Sequence, residues 1–65
     1  MMSVRFIIGE RVSLRTAIPA ACVGTLGTIQ LVYRSVDDTY DVRFDGDARP
    51  QLLRVHYLGR VATVA

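Results

Sequence analysis

A small all-β domain, rolled into a barrel of about five short antiparallel strands, is the fold these 65 residues predict. Three observations point to it. Apolar and polar side chains alternate with a period of two through most of the chain, no stretch carries a sustained helical repeat, and Gly, Pro and Asp residues punctuate the alternating runs. The length accommodates one domain, residues 1–65. A chain this short buries only about 60% of the surface it exposes when unfolded, so its core must be dense or supplemented.

The elements follow in order. Arg11-Val12-Ser13-Leu14-Arg15 is the first strand, with Val12 and Leu14 inward. A long loop, Thr16–Leu26, holds Pro19 and Gly24. In the second strand, Thr28–Arg34, strict alternation places Ile29, Leu31 and Tyr33 inward and Val32 outward. Ser35–Asp38 leads into the clearest strand, Thr39–Asp45, where Tyr40, Val42 and Phe44 share the inner face. Asp45-Gly46-Asp47 is the strongest turn, because Gly46 supplies the positive φ of a tight hairpin.

The length of that turn sets the register. A two-residue loop would place Val42 opposite Arg49 and Tyr40 opposite Gln51. A three-residue loop pairs Phe44 with Ala48, Val42 with Pro50 and Tyr40 with Leu52, which keeps the shared face apolar and is the expected register. It implies a bulge near Leu52-Leu53 in the fourth strand, Gln51–Val55. His56-Tyr57-Leu58-Gly59 then reads as a 3₁₀ turn before the last strand, Arg60–Val64.

The runs Gly9-Glu10-Arg11-Val12-Ser13-Leu14 and Gly24-Thr25-Leu26-Gly27-Thr28-Ile29, separated by a variable loop, resemble the opening of bacterial SH3-like barrels, KOW-type domains included. With Ala17-Ile18-Pro19, Val32-Tyr33 and Tyr40-Asp41-Val42-Arg43-Phe44 added, residues 9–61 most resemble small bacterial SH3-like barrel domains of unknown function. That resemblance implies an SH3-like barrel and carries no activity with it. KOW domains contact RNA or ribosomal and transcription proteins. The similarity covers their strand-turn-strand half without their basic loop, since Thr16–Gly24 carries no charge. The plasmid-type dihydrofolate reductase is a more distant likeness in fold. Its active-site strand reads Val-Gln-Ile-Tyr where Leu52–Val55 here reads Leu-Leu-Arg-Val, so its activity is not implied.

Chemical signatures are sparse. Cys22 is the only cysteine, which excludes an internal disulfide, and Cys22 with His56 falls short of a zinc ligand set. A lone thiol fits a reducing compartment, the cytoplasm. Phe6-Ile7-Ile8 is too short a run for a signal core or a membrane span. Asp37-Asp38 and Asp45/Asp47 lack the periodic ligand set of a calcium loop. Gly24–Thr28 lacks the Lys and the helix of a phosphate loop. Neither a cofactor nor catalysis is expected. Of the three tyrosines, Tyr33 and Tyr40 fall on the inner face by parity, leaving Tyr57 as the exposed aromatic.

Charge is unevenly spread over a net of +2: residues 1–36 carry +3, residues 37–47 carry −4, and residues 48–65 carry +3. The acidic block interrupts any basic stripe. At 51% hydrophobic, the chain has more apolar surface than one small barrel hides. The expected function is therefore an interaction or assembly module that binds itself or another protein. Phe6, Ile7, Ile8, Val32, Leu52 and Leu58 are the expected interface. The alternative is weak, sequence-independent nucleic-acid binding through Arg34, Arg49, Arg54 and Arg60.

Overall fold

A computed structural model describes residues 5–34 and 38–61. Among these, five strands alternate in direction: β1 Arg11–Leu14, β2 Leu26–Arg34, β3 Asp38–Phe44, β4 Gln51–Arg54 and β5 Leu58–Arg60. A 3₁₀ turn, Val55–Tyr57, joins β4 to β5. They form one antiparallel sheet in the order β4-β3-β2-β1-β5.

The sheet is curled, and the chain shows why. Laid flat, five strands would hold β4 and β5 about 19 Å apart. The four steps from Arg54 to Leu58 span at most about 14 Å. Leu53 of β4 and Leu58 of β5 nevertheless lie in one core cluster with Phe6, Val12, Leu14, Ile29, Tyr40, Val42 and Phe44. The sheet thus wraps its own inner face. It does not close into the expected barrel: no ladder joins β4 to β5 among the described residues. The 3₁₀ turn carries the chain round a corner and delivers β5 to β1 instead.

β1 and β3 follow simple alternation, and Val12, Leu14, Tyr40, Val42 and Phe44 are all buried. β2 does not. Ile29 pairs with Val42 but Leu31 pairs with Asp41, so one extra residue sits in β2 between them. This bulge reverses the parity of everything beyond it. Leu31 and Tyr33 face solvent and Val32 turns inward against the core, the opposite of the strict alternation expected. Before the bulge, Gly27 is buried in β2 opposite Phe44 of β3. A Cβ there would come within 2.8 Å of Val42 Cγ1 and 3.0 Å of Phe44 Cδ1, so any larger residue forces those side chains to shift.

The β3–β4 register also differs from expectation. Val42 pairs with Gln51, Tyr40 with Leu53 and Asp41 with Leu52. Gly46 takes the positive φ expected of it, 90°, and Asp47 N–H donates to Phe44 O at 3.0 Å, but this register makes the connection one residue longer than the three-residue loop expected. The expected register would have set Pro50 opposite Val42, at a position where the ladder requires an N–H that proline lacks. Slipping by one residue puts Gln51 there, buries Leu53 and turns Leu52 out, with no bulge in β4.

The last strand begins earlier than expected, because Leu58 pairs with Leu14 and fills the core. Residues 62–65, including Val64 of the expected last strand, lie outside the described residues, as do Ser35–Asp37 of the expected hairpin. At the other end Phe6 folds back over the core. Its ring meets Tyr40 edge-on at 5.4 Å, and its N–H donates to the Tyr40 hydroxyl at 3.2 Å.

Candidate interaction surface

The outer face of the curled sheet divides at the bulge. On one side the ladder carries charge. Arg11 donates to both carboxylate oxygens of Asp45, at 2.8 and 2.6 Å, and to Thr28 Oγ1 at 2.9 Å. The hydrogen bond from Arg11 holds the Asp45 carboxyl below the usual carboxylate range and raises the guanidinium in turn.

On the other side apolar groups surface. Leu31, Asp41 and Leu52 form one cross-strand row, with Leu31 49% and Leu52 63% exposed. Tyr33, Thr39 and Arg54 form the next. The Tyr33 hydroxyl donates to Asp41 Oδ2 at 2.8 Å, a bond that raises the phenol above its ordinary value and satisfies the one carboxylate between the two leucines. Ile7 and Ile8 are also exposed. They sit in a turn closed by Glu10 N–H on Ile7 O at 3.0 Å and by Ile7 N–H on Glu10 Oε1 at 3.1 Å.

Beside β4 the outer face ends in a groove of about 430 Å³. One wall is Gln51–Arg54; residues of both parities line it, so the wall is the edge of the strand itself. Across from it stands the turn carrying Ile18, Pro19 and Ala20, closed by Ile18 N–H on Ala21 O at 2.9 Å and Ala21 N–H on Ile18 O at 3.2 Å. His56 and Tyr57 form one end.

The residues expected at an interface therefore separate. Ile7, Ile8 and Leu52 are exposed. Phe6 and Leu58 are buried in the chain's own core, and Val32 is packed against that core. Phe6 is there because the segment before β1 folds back onto Tyr40, Leu58 because β5 pairs it with Leu14, and Val32 because of the bulge. Leu31 and Tyr33 join the surface instead. The one hint of this in the sequence was a second strand apolar on both parities, which simple alternation cannot accommodate.

The four arginines of the nucleic-acid alternative stand on four different segments. Arg60 donates to Glu10 Oε2 at 2.7 Å and to Arg5 O at 2.8 Å, with its guanidinium 5.3 Å over the Phe6 ring. Arg49 stands in the β3–β4 loop and Arg54 at the end of β4; Arg34 ends β2, and its side chain lies outside the described residues. Cys22 contacts Thr25 while His56 packs on Tyr57, and among the described residues no group of His, Cys, Asp and Glu gathers as a metal site. No helix among the described residues is long and apolar enough to cross a membrane. Comparisons with protein-family models, curated proteins and solved structures find no match.

Proposed function

We propose that the chain is a non-catalytic assembly module with an SH3-like barrel fold, and that it associates with a second copy of itself. The meander order, with the last strand returned to the first through a 3₁₀ turn, supports that reading of the fold. One observation carries the function: the row Leu31–Asp41–Leu52 presents two half-exposed leucines on a sheet face that runs out to an edge strand. Leucines in such numbers on so small a surface are costly to leave in water, at about 25 cal/mol for each Å² that association would bury. Burying them also adds stability that a 65-residue core lacks. The same surface serves binding to another protein if that protein offers an apolar face.

Light scattering after gel filtration at tens of micromolar checks this. The expected mass is a multiple of 7.2 kDa, and Leu52→Glu returns the chain to a monomer with its fold intact. A wild-type monomer of 7.2 kDa overturns the reading.

A further inference from the structure

The register of the charged half of the outer face gathers arginines that lie far apart in the chain. Arg11 of β1, Thr28 of β2 and Arg43 of β3 form one cross-strand row. Gly59, Ser13 and Leu26 form the next. Arg15 follows Ser13 on the same parity, and its stem crosses onto β5. Its Cδ and Cγ stand 3.1 and 3.2 Å from where a Cβ of Gly59 would be. The bare glycine gives that aliphatic stem a floor while the guanidinium stays in water. Arg11, Arg15 and Arg43 are all exposed. From the strand spacing and the rise per residue, Arg43 stands about 10 Å from Arg11 across the strands, and Arg15 about 14 Å from it along them.

The charge of this half does not cancel. The carboxylate standing in it is Asp45, held by two bonds from Arg11. Asp41, the next outward residue of β3, lies beyond the bulge and accepts from Tyr33. Three guanidiniums against one carboxylate leave +2, the net charge of the whole chain; the other five arginines are matched in number by the other five acids. Arg11 retains guanidinium N–H groups beyond the three that bind Asp45 and Thr28. The hydroxyls of Ser13 and Thr28 lie between the arginines. Guanidinium and hydroxyl donors are the groups that contact phosphate oxygens. No aromatic ring stands among these residues, so an unpaired base has nothing to stack on. Leu26 is their one exposed apolar side chain, too little to enter a bilayer. We propose that this half of the outer face binds the phosphate backbone of a nucleic-acid duplex without reading its sequence, with Arg11, Arg15 and Arg43 as the contacts. A duplex carries a phosphate about every 3.4 Å on each strand, so a patch of about 10 by 14 Å meets several wherever it lands. An acidic peptide would have to match the three positions one by one. The patch shares no residue with the four arginines that the linear sequence points to.

The patch lies across the bulge from Leu31 and Leu52, so it and self-association can fail separately. Fluorescence anisotropy of a dye-labelled DNA duplex of about 20 base pairs, titrated between about 20 and 150 mM salt, tests it. Three phosphate contacts give a log–log salt slope of about −2.7, and Arg15→Gln and Arg43→Gln should each reduce it by about 0.9. Asp45→Asn, which unmasks Arg11, should tighten binding. Arg49→Gln removes the same charge from the β3–β4 loop and should leave the slope unchanged. These positions are exposed, so thermal melts of the four variants should stay close to wild type. A duplex left unbound at the lowest salt overturns the proposal, as does binding to anionic vesicles or an acidic peptide in its place. A slope that Arg15→Gln and Arg43→Gln leave unchanged overturns it too. So does a slope that Arg49→Gln reduces as much as they do, since net charge alone would then be acting.

Discussion

Two rows of side chains cross β2, β3 and β4 one residue apart and meet opposite environments. Val32–Tyr40–Leu53 lies inward, with Tyr40 and Leu53 buried. Leu31–Asp41–Leu52 lies outward, with both leucines in solvent. The apolar ends of the two rows are chemically alike. Hydropathy does not sort them; parity does, and parity in β2 and β4 is set by a bulge and by a one-residue slip in register. The comparison separates a core that the chain needs in order to fold from a surface that folding leaves in solvent.

The largest expected effect breaks the inner face of β3. Tyr40→Ala or Phe44→Ala removes a fully buried ring and should cost about 3–5 kcal/mol. For a domain of about 5 kcal/mol total stability that comes close to unfolding, and urea denaturation measures it. A midpoint unchanged by Phe44→Ala would show that the inner face is misassigned.

Leu52 and Leu53 sharpen the contrast, being neighbours of the same type on opposite rows. Leu53→Ala should cost about 2–5 kcal/mol. Leu52→Ala should stay within about 0.5 kcal/mol in dilute, monomeric protein, yet weaken association at high concentration. Equal losses of stability from the two would erase the distinction between the rows.

Gly27→Ala tests the inner face ahead of the bulge. The added methyl meets Val42 and Phe44 below ordinary contact distance, so overpacking of about 1–3 kcal/mol is expected in a thermal melt. A stabilised Gly27→Ala would mean that β2 and β3 can part there at no cost.

The smallest effect belongs to the charged half of the outer face. The hydrogen bond from Arg11 depresses the Asp45 carboxyl. A folded value below the unfolded one stabilises the fold above the unfolded value, and that contribution is lost as pH falls through the folded value. Both groups are exposed, so the effect on stability is slight. It is best read by NMR titration of Asp45, which should move up toward the ordinary range in Arg11→Gln. An unmoved titration would remove Arg11 as the cause.

Local sequence determined the β class, the strands β1 and β3 with their inward faces, the turn at Gly46 and the presence of a 3₁₀ turn before the last strand. Each depends on neighbours within a few residues: alternation that matches the pleat, or a glycine where φ must be positive. Tertiary structure alone decided which apolar residues become surface. Whether β2 bulges at Gln30 depends on Tyr40 receiving Val32 from another strand, and the slip of β4 depends on where Val42 needs an N–H that Pro50 lacks. Phe6 is core and Ile7 is not because Phe6 packs on Tyr40, a residue 34 positions away in the chain. These are cross-strand facts. A pattern of period two is indifferent to them, since a shift of one residue exchanges the two faces without changing a letter of the sequence.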